Sequence, residues 1–569
     1  MKDGYKTLKT PYFDKMDKEC PWQDYPRPQF KRDSYISLNG SWDFAVTRDE
    51  EPPSEYEKKI LVPFPPESLL SGLEEKIAPG DRLYYKRKFT LPKGFIKSRV
   101  ILHVGAADQV CYTFINGSLL GAHEGGYIPY SYDITDYISD GENEIIFKVI
   151  DDMSPIYPLG KQSAHRGGMW YTPVSGIWQS VWLESIPDEA IEGIKITPSL
   201  TGAEISVIGG GKNKRLTLTA TGEVFEFFSD KITVTPREAV LWTPENPYLY
   251  EFTLESAEDR IESYFALREI DIKTVDGMAR ICLNGKPYLF HGLLDQGYFP
   301  DGLFLPPTSD SYRDDIMTAK RLGFNTLRKH IKIEPLIFYH LCDKLGMIVF
   351  QDMINNSTYS FFRDTALPTV GLKRRSDKRL HKSSQSRDMF ERVMYETADL
   401  LYNSPSVLYY TVFNEGWGQF CADEMYEKLK AHDSTRIIDA TSGWFTQKKS
   451  DVDSRHVYFK KVKLGKRGDT PIVISEFGGY SYREEGHLFG KKNYGYKLFE
   501  TKEELSAAVA RLYEEEILPL IKEGVCALVY TQLTDVEDET NGLVTYDRCF
   551  TKVDYDKMSK IAEKLKAEI

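Results

Sequence analysis

The chain has 569 residues, 41% of them hydrophobic and 28% charged, which is an ordinary soluble globular composition. That length exceeds one ordinary core, so roughly two to four domains are expected. A formal net charge of −12 argues against nucleic acid or an anionic membrane as partner.

No run of 18 apolar residues occurs, and the opening segment has no apolar stretch of the kind a secretory leader needs, so neither a membrane span nor a leader is expected. The seven cysteines are odd in number, scattered and without a CxxC pair. This points to free thiols in a reducing cytoplasm rather than to a disulfide framework or structural zinc. Aromatic content of 13% suits a strand-rich chain, and also a sugar-binding one whose rings stack on pyranose faces.

From about residue 35 to 186 the chain reads as short strands separated by turns: YKRKFTL (85–91), RVILHVG (99–105), VCYTFING (110–117), NEIIFKVID (143–151) and SVWLES (180–185). Asn116-Gly117 and Asp140-Gly141 are hairpin signals. With almost no helical periodicity, a jelly-roll-like β-sandwich is expected over 1–186. A second β region, 187–272, has the length of a small immunoglobulin-like sandwich.

Beyond about residue 275 strands alternate with amphipathic helices such as 311–323 and 334–346. Candidate strands fall at 288–294, 324–330, 347–353, 407–415, 436–442, 456–460, 471–479 and 526–535. Eight such units over 273–569 predict a (β/α)₈ TIM barrel, so the chain reads as β plus α/β in three domains.

In such a barrel the chemistry lies at the C-terminal ends of the strands. Asn414-Glu415 closes the fourth candidate strand and Glu476 the seventh, each after an apolar run that does not otherwise favour glutamate. One of 85 acidic residues at a strand end would ordinarily be a solvated or salt-bridged group. Two, on the fourth and seventh strands, are the pair that glycoside cleavage requires: one protonated to assist the leaving oxygen, one ionised to attack.

Several motifs then resemble glycoside hydrolase family 2, the family of β-galactosidases, β-glucuronidases and β-mannosidases. Leu38-Asn39-Gly40-Ser41-Trp42-Asp43-Phe44, Gly125-Gly126-Tyr127 and 176–182 resemble its sugar-binding sandwich. Residues 242–250 and Phe265-Ala266-Leu267-Arg268 resemble its immunoglobulin-like domain, and Leu283-Asn284-Gly285-Lys286-Pro287 the start of its barrel. The resemblance implies a retaining exo-β-glycosidase, most similar to a β-galactosidase, with Glu415 as acid/base, Glu476 as nucleophile and Asn414 bonding the sugar 2-hydroxyl. By position it also implies that Arg328 and His330 orient the nucleophile, that Tyr458 lies beside it, and that Trp444 or Trp417 offers a stacking platform. No cofactor and no metal ligand is implied, the partner is a carbohydrate, and assembly into homo-oligomers is left open.

The departures matter too. Where β-glucuronidases carry an Asn-x-Lys pair, this chain reads Glu539-Thr540-Asn541-Gly542, and the domains that follow the barrel in long β-galactosidases do not occur within this sequence. Lys373-Arg374-Arg375, Lys378-Arg379, Lys382, Lys460, Lys461, Lys463, Lys466, Arg467, Lys491 and Lys492 would make the barrel rim basic. That keeps open a glycoside carrying an anionic sugar, such as a uronide or a phosphorylated or sulfated one. A transglycosidase and a non-catalytic carbohydrate-binding relative are the other readings.

Overall fold

The structure is a computed structural model describing residues 8–367, 376–458, 461, 464 and 469–569. The N-terminal sandwich packs a four-stranded sheet (35–37, 181–186, 99–104 and 130–133) against a six-stranded one (58–62, 40–47, 82–90, 142–150, 110–115 and 118–124). Alternate residues of each strand face inward, so Trp42, Phe44, Leu83, Tyr85, Leu102, Phe147 and Val149 share one core. Asn116 and Gly117, both at positive φ, make the tight hairpin between strands 110–115 and 118–124. The immunoglobulin-like sandwich faces a three-stranded sheet (191–198, 203–209 and 231–234) with a four-stranded one (224–227, 214–218, 250–256 and 259–265).

The barrel strands are β1 (Phe290–Asp295), β2 (Thr326–Lys329), β3 (Ile348–Asp352), β4 (Val407–Asn414), β5 (Ile437–Ser442), β6 (Asp453–Val457), β7 (Ile472–Gly478) and β8 (Val525–Thr531). They pair in the order β5-β4-β3-β2-β1-β8-β7-β6, all parallel, the cyclic order of a TIM barrel hydrogen-bonded at every join except that between β5 and β6. Most read as unbroken apolar runs because helices cover one face and the barrel core the other. The covering helices include α1 (Ser309–Arg321), α2 (Leu336–Leu345), α3 (Ser384–Leu401), α4 (Ala422–His432), α5 (Lys502–Arg511) and α6 (Tyr555–Lys566). In α3, Phe390, Val393, Met394, Thr397, Ala398 and Leu401 fall on one buried stripe at helical spacing.

Two details differ from the sequence reading. The sixth strand begins at Asp453 rather than His456, because its residues Asp453, Ser454, Arg455 and His456 are polar and look like loop. Residues 443–452, which join β5 to β6, form no helix. All seven cysteines are free, and among the described residues no helix is long and apolar enough to cross a membrane.

The long connection 151–175 leaves the N-terminal sandwich and lies against the barrel. Leu159 N–H donates to the Asn355 carbonyl at 2.9 Å, and Trp170 packs edge-on to Trp417 with ring centroids 4.5 Å apart. The barrel mouth therefore has one wall built by another domain.

Candidate active site

Arg328, at the end of β2, is the hub. Its guanidinium is buried and donates through Nε to both oxygens of Asp352 on β3 (3.0 and 3.1 Å). Nη1 donates to the Ser475 carbonyl (3.0 Å) and to Glu476 Oε1 (3.1 Å), and Nη2 to Asn414 Oδ1 (2.8 Å). One planar fork thus ties β3, β4 and β7 together, a task that suits arginine and not lysine. Because Asn414 spends its oxygen on Arg328, its amide nitrogen is left to donate elsewhere.

Glu476 has both oxygens engaged. Oε1 meets Arg328, while Oε2 accepts from the Tyr458 hydroxyl at 2.5 Å. Burial pushes this carboxyl up, yet the imidazole of His456, the guanidinium of Arg328 and the Tyr458 hydroxyl more than offset that and hold it below its ordinary value of 4.5. Asp352 is likewise held below its ordinary value: burial opposes ionisation, and Arg328 and His330 outweigh it. Tyr458 is pushed far up by burial and by the charge of Glu476, so it remains a hydroxyl donor.

Glu415 sits just beyond β4 in a left-handed backbone conformation (φ +53°), costly for a residue with a side chain and typical of functional sites. Its N–H is held by the Ser442 carbonyl at 2.9 Å. Its carboxyl is more open than that of Glu476 and meets Nδ1 of His456 at 2.8 Å. One carboxylate oxygen of Glu415, one of Glu476 and a ring nitrogen of His456 all lie within 4.8 Å of one another. Two carboxyl groups therefore face each other in unequal settings, one pinned and ionised, the other accessible.

The other residues singled out from sequence fall around this pair. His330 is buried, with Nδ1 2.7 Å from Asp352 Oδ2; burial lowers its affinity for a proton, so a neutral ring donates through Nδ1. Trp444 lies beside the site, its ring 5.6 Å from that of His456 and its indole N–H donating to the Asp364 carbonyl. Trp417 is only 6% exposed and packed against Trp170 and Tyr359, so it belongs to a wall more than to an open platform.

Of the basic rim, Lys378, Arg379, Lys382, Lys461, Lys491 and Lys492 face solvent. Lys373, Arg374, Arg375, Lys460, Lys463, Lys466 and Arg467 lie outside the described residues.

His456 was not singled out from the sequence. The available signal was its place two residues before Tyr458, which lies just beyond the end of β6. Its Nε2 is 2.8 Å from the Ser442 hydroxyl, which in turn donates to Ser475, so the ring is held at both nitrogens. The sandwich residues Lys161, Trp170 and Tyr171 also escaped notice, Tyr171 donating its hydroxyl to Glu539 beyond β8. Sequence separation of this size leaves no local signal.

Comparison with known proteins agrees with the architecture. The model for the sugar-binding domain of glycosyl hydrolases family 2 matches residues 75–187, and that for the family's TIM barrel domain matches residues 274–546. A β-galactosidase of Pseudoalteromonas haloplanktis is 25% identical over 517 residues, which cover 78% of this chain and 47% of that protein. The chain spans less than half the length of the first such curated relatives.

Among solved structures, a β-D-glucuronidase of Dictyoglomus thermophilum superposes with a TM-score of 0.72 at 17% identity, covering 95% of this chain and 98% of that one. A β-galacturonidase of Eisenbergiella tayi bound to galacturonate gives 0.69 at 18% identity, covering 94% and 98%. At these identities the superpositions speak for the fold, and the two family models, spanning both the sandwich and the barrel, speak for descent. The chain belongs to glycoside hydrolase family 2.

Proposed function

We propose that the chain is a retaining exo-β-glycosidase in which Glu476 is the nucleophile and Glu415 the acid/base. The observation that carries this reading is the approach of Glu415 and Glu476 oxygens to within 4.8 Å in unequal environments. Retaining enzymes hold their carboxyl groups about 5–5.5 Å apart, whereas inverting ones leave about 6.5–9.5 Å for a water.

In the first step an oxygen of Glu476 bonds to the anomeric carbon as the bond to the leaving oxygen breaks, and Glu415 gives its proton to that oxygen. In the second step Glu415 takes a proton from water, whose oxygen displaces Glu476 and restores the β configuration. Arg328 keeps Glu476 ionised before attack, and the free amide nitrogen of Asn414 is placed to donate to the sugar 2-hydroxyl. The wall made by residues 151–175 closes one side of the mouth, which suits removal of a terminal sugar. The sugar itself is read as a β-linked hexopyranoside. Relatives named β-galactosidase and neighbours named β-glucuronidase or β-galacturonidase leave two glycone chemistries, neutral and anionic.

A 2-deoxy-2-fluoro β-glycosyl fluoride with a good leaving group slows the second step and traps the covalent intermediate. Peptide mass spectrometry is expected to find one added glycosyl group, on Glu476. A label on Glu415, or on neither, would overturn the assignment.

A further inference from the structure

Most buried cations at this face of the barrel already have partners. Lys329 binds Asp295 and Glu334, Lys332 binds Glu334 and two carbonyls, Lys552 binds Asp535, and Arg328 is fully engaged. Lys161 differs. It is 9% exposed, and among the described residues its ammonium makes neither a hydrogen bond nor an ion pair; it lies over the Trp170 ring, 5.7 Å from the centroid.

Its backbone is fixed on every side. The Tyr171 N–H donates to its carbonyl at 3.0 Å, and the neighbouring Gln162 side chain donates to Asp108 at 2.9 Å. Gly160, at φ +63°, lets the chain press onto the exit of β2, where a Cβ would come 2.7 Å from the Ile331 carbonyl oxygen.

The charge of Lys161 reaches two groups of the site. It acts on His330, beyond β2, and it is the main charge opposing the burial of Glu539, beyond β8. Glu539 in turn senses Glu476, and the docking of Leu159 on Asn355, Gly160 on Ile331 and Tyr171 on Glu539 sets Lys161 at the same mouth. A largely buried ammonium with the charge of Glu539 nearby but no hydrogen-bonded partner gains from an anionic ligand, and a neutral hydroxyl would match it less well.

We propose that Lys161, presented by the sandwich loop between β2 and the turn after β8, is the cation that binds the carboxylate of a β-linked hexuronic acid. This rests on the glycosidase assignment made above and names its substrate class. One ammonium, whose charge acts on Glu539 and which shares the mouth with Glu476, can balance a single negative charge. A planar monoanionic carboxylate fits that balance, and a doubly charged phosphate is repelled by the same glutamates. The cation thereby comes from the sandwich, in a chain whose segment 539–542 carries no lysine.

The test compares 4-nitrophenyl β-D-glucuronide and β-D-galacturonide with the matching neutral glucoside and galactoside, for wild type, Lys161→Met and Lys161→Arg. Wild type is expected to prefer a uronide over its neutral partner in kcat/KM. In Lys161→Met that preference ratio is expected to fall on the order of 10- to 100-fold, chiefly through KM, with Lys161→Arg retaining part of it. Free D-glucuronate or D-galacturonate should raise the melting temperature of wild type and not of Lys161→Met, a readout independent of turnover.

A wild type that prefers the neutral glycoside, a phosphorylated or a sulfated one would overturn the proposal. So would a Lys161→Met variant that loses all substrates equally. If Lys161→Met does not fold, the wild-type preference and the Lys161→Arg ratio still decide. Failure of the underlying assignment looks different: Glu476→Ala would then keep its turnover on every glycoside.

Discussion

Nδ1 of His456 lies 2.8 Å from Oε1 of Glu415 and 3.5 Å from Oε2 of Glu476, so one imidazole on β6 touches both members of the carboxyl pair. The shorter contact fixes the carboxyl that must deliver a proton to the leaving oxygen. Replacing His456 with Phe is expected to lower kcat on alkyl or sugar aglycones about 10- to 100-fold. The loss should be much smaller on 2,4-dinitrophenyl glycosides, which depart without protonation. Equal losses on good and poor leaving groups would mean that His456 serves structure alone.

The electrostatics of Glu476 give a pH prediction. Its carboxyl is held below 4.5 in the folded chain, so the stability it contributes is present above the unfolded value and is lost as pH falls through the lowered one. The acid limb of kcat/KM should accordingly lie below 4.5. Arg328→Met removes a permanent charge among the causes, and the limb should move upward. Because it also strands buried Asp352 beside Glu476, urea denaturation at neutral pH should show a loss of about 3–5 kcal/mol.

Tyr458→Phe removes the hydroxyl that donates to Glu476 Oε2 and also lies 3.0 Å from Thr531 Oγ1. The phenyl ring can keep the stack on Tyr496, whose centroid is 4.1 Å away, while the donor to Glu476 Oε2 is lost. Activity is expected to fall about 10- to 100-fold with little change in melting temperature. A large drop in melting temperature would assign the hydroxyl to the fold.

Glu415, His456 and Glu476 are residue types that also ligate metals. Here Glu476 already meets a guanidinium and a hydroxyl, an arrangement that disfavours a further cation. Dialysis against EDTA should leave the rate unchanged; a loss restored by a divalent ion would place a metal in the mechanism.

Much of this was legible in the sequence for identifiable reasons. Barrel strands such as Val407–Asn414 are buried on both faces, so their apolar runs stand out, and a glutamate or arginine at the end of one is conspicuous. Strand β6 was misplaced at its start because Asp453, Ser454 and Arg455 are polar, and His456 was overlooked with it. Lys161 and Glu539 are brought into one neighbourhood only by the docking of a sandwich loop on the barrel, which no local pattern announces. The basic rim was read both as solvated loop charge and as a cue to an anionic glycoside, and its described members face solvent, which fits either reading.

The central claim is the division of labour between Glu415 and Glu476, and azide tests it most directly. With Glu476→Ala, azide takes the place of the missing nucleophile and a single inversion is expected to yield the α-glycosyl azide. With Glu415→Ala, azide attacks the covalent intermediate and the β-glycosyl azide is expected, both read from the anomeric proton coupling by NMR. The reverse pattern would exchange the two roles, and the absence of any glycosyl azide from either variant would contradict the double-displacement account.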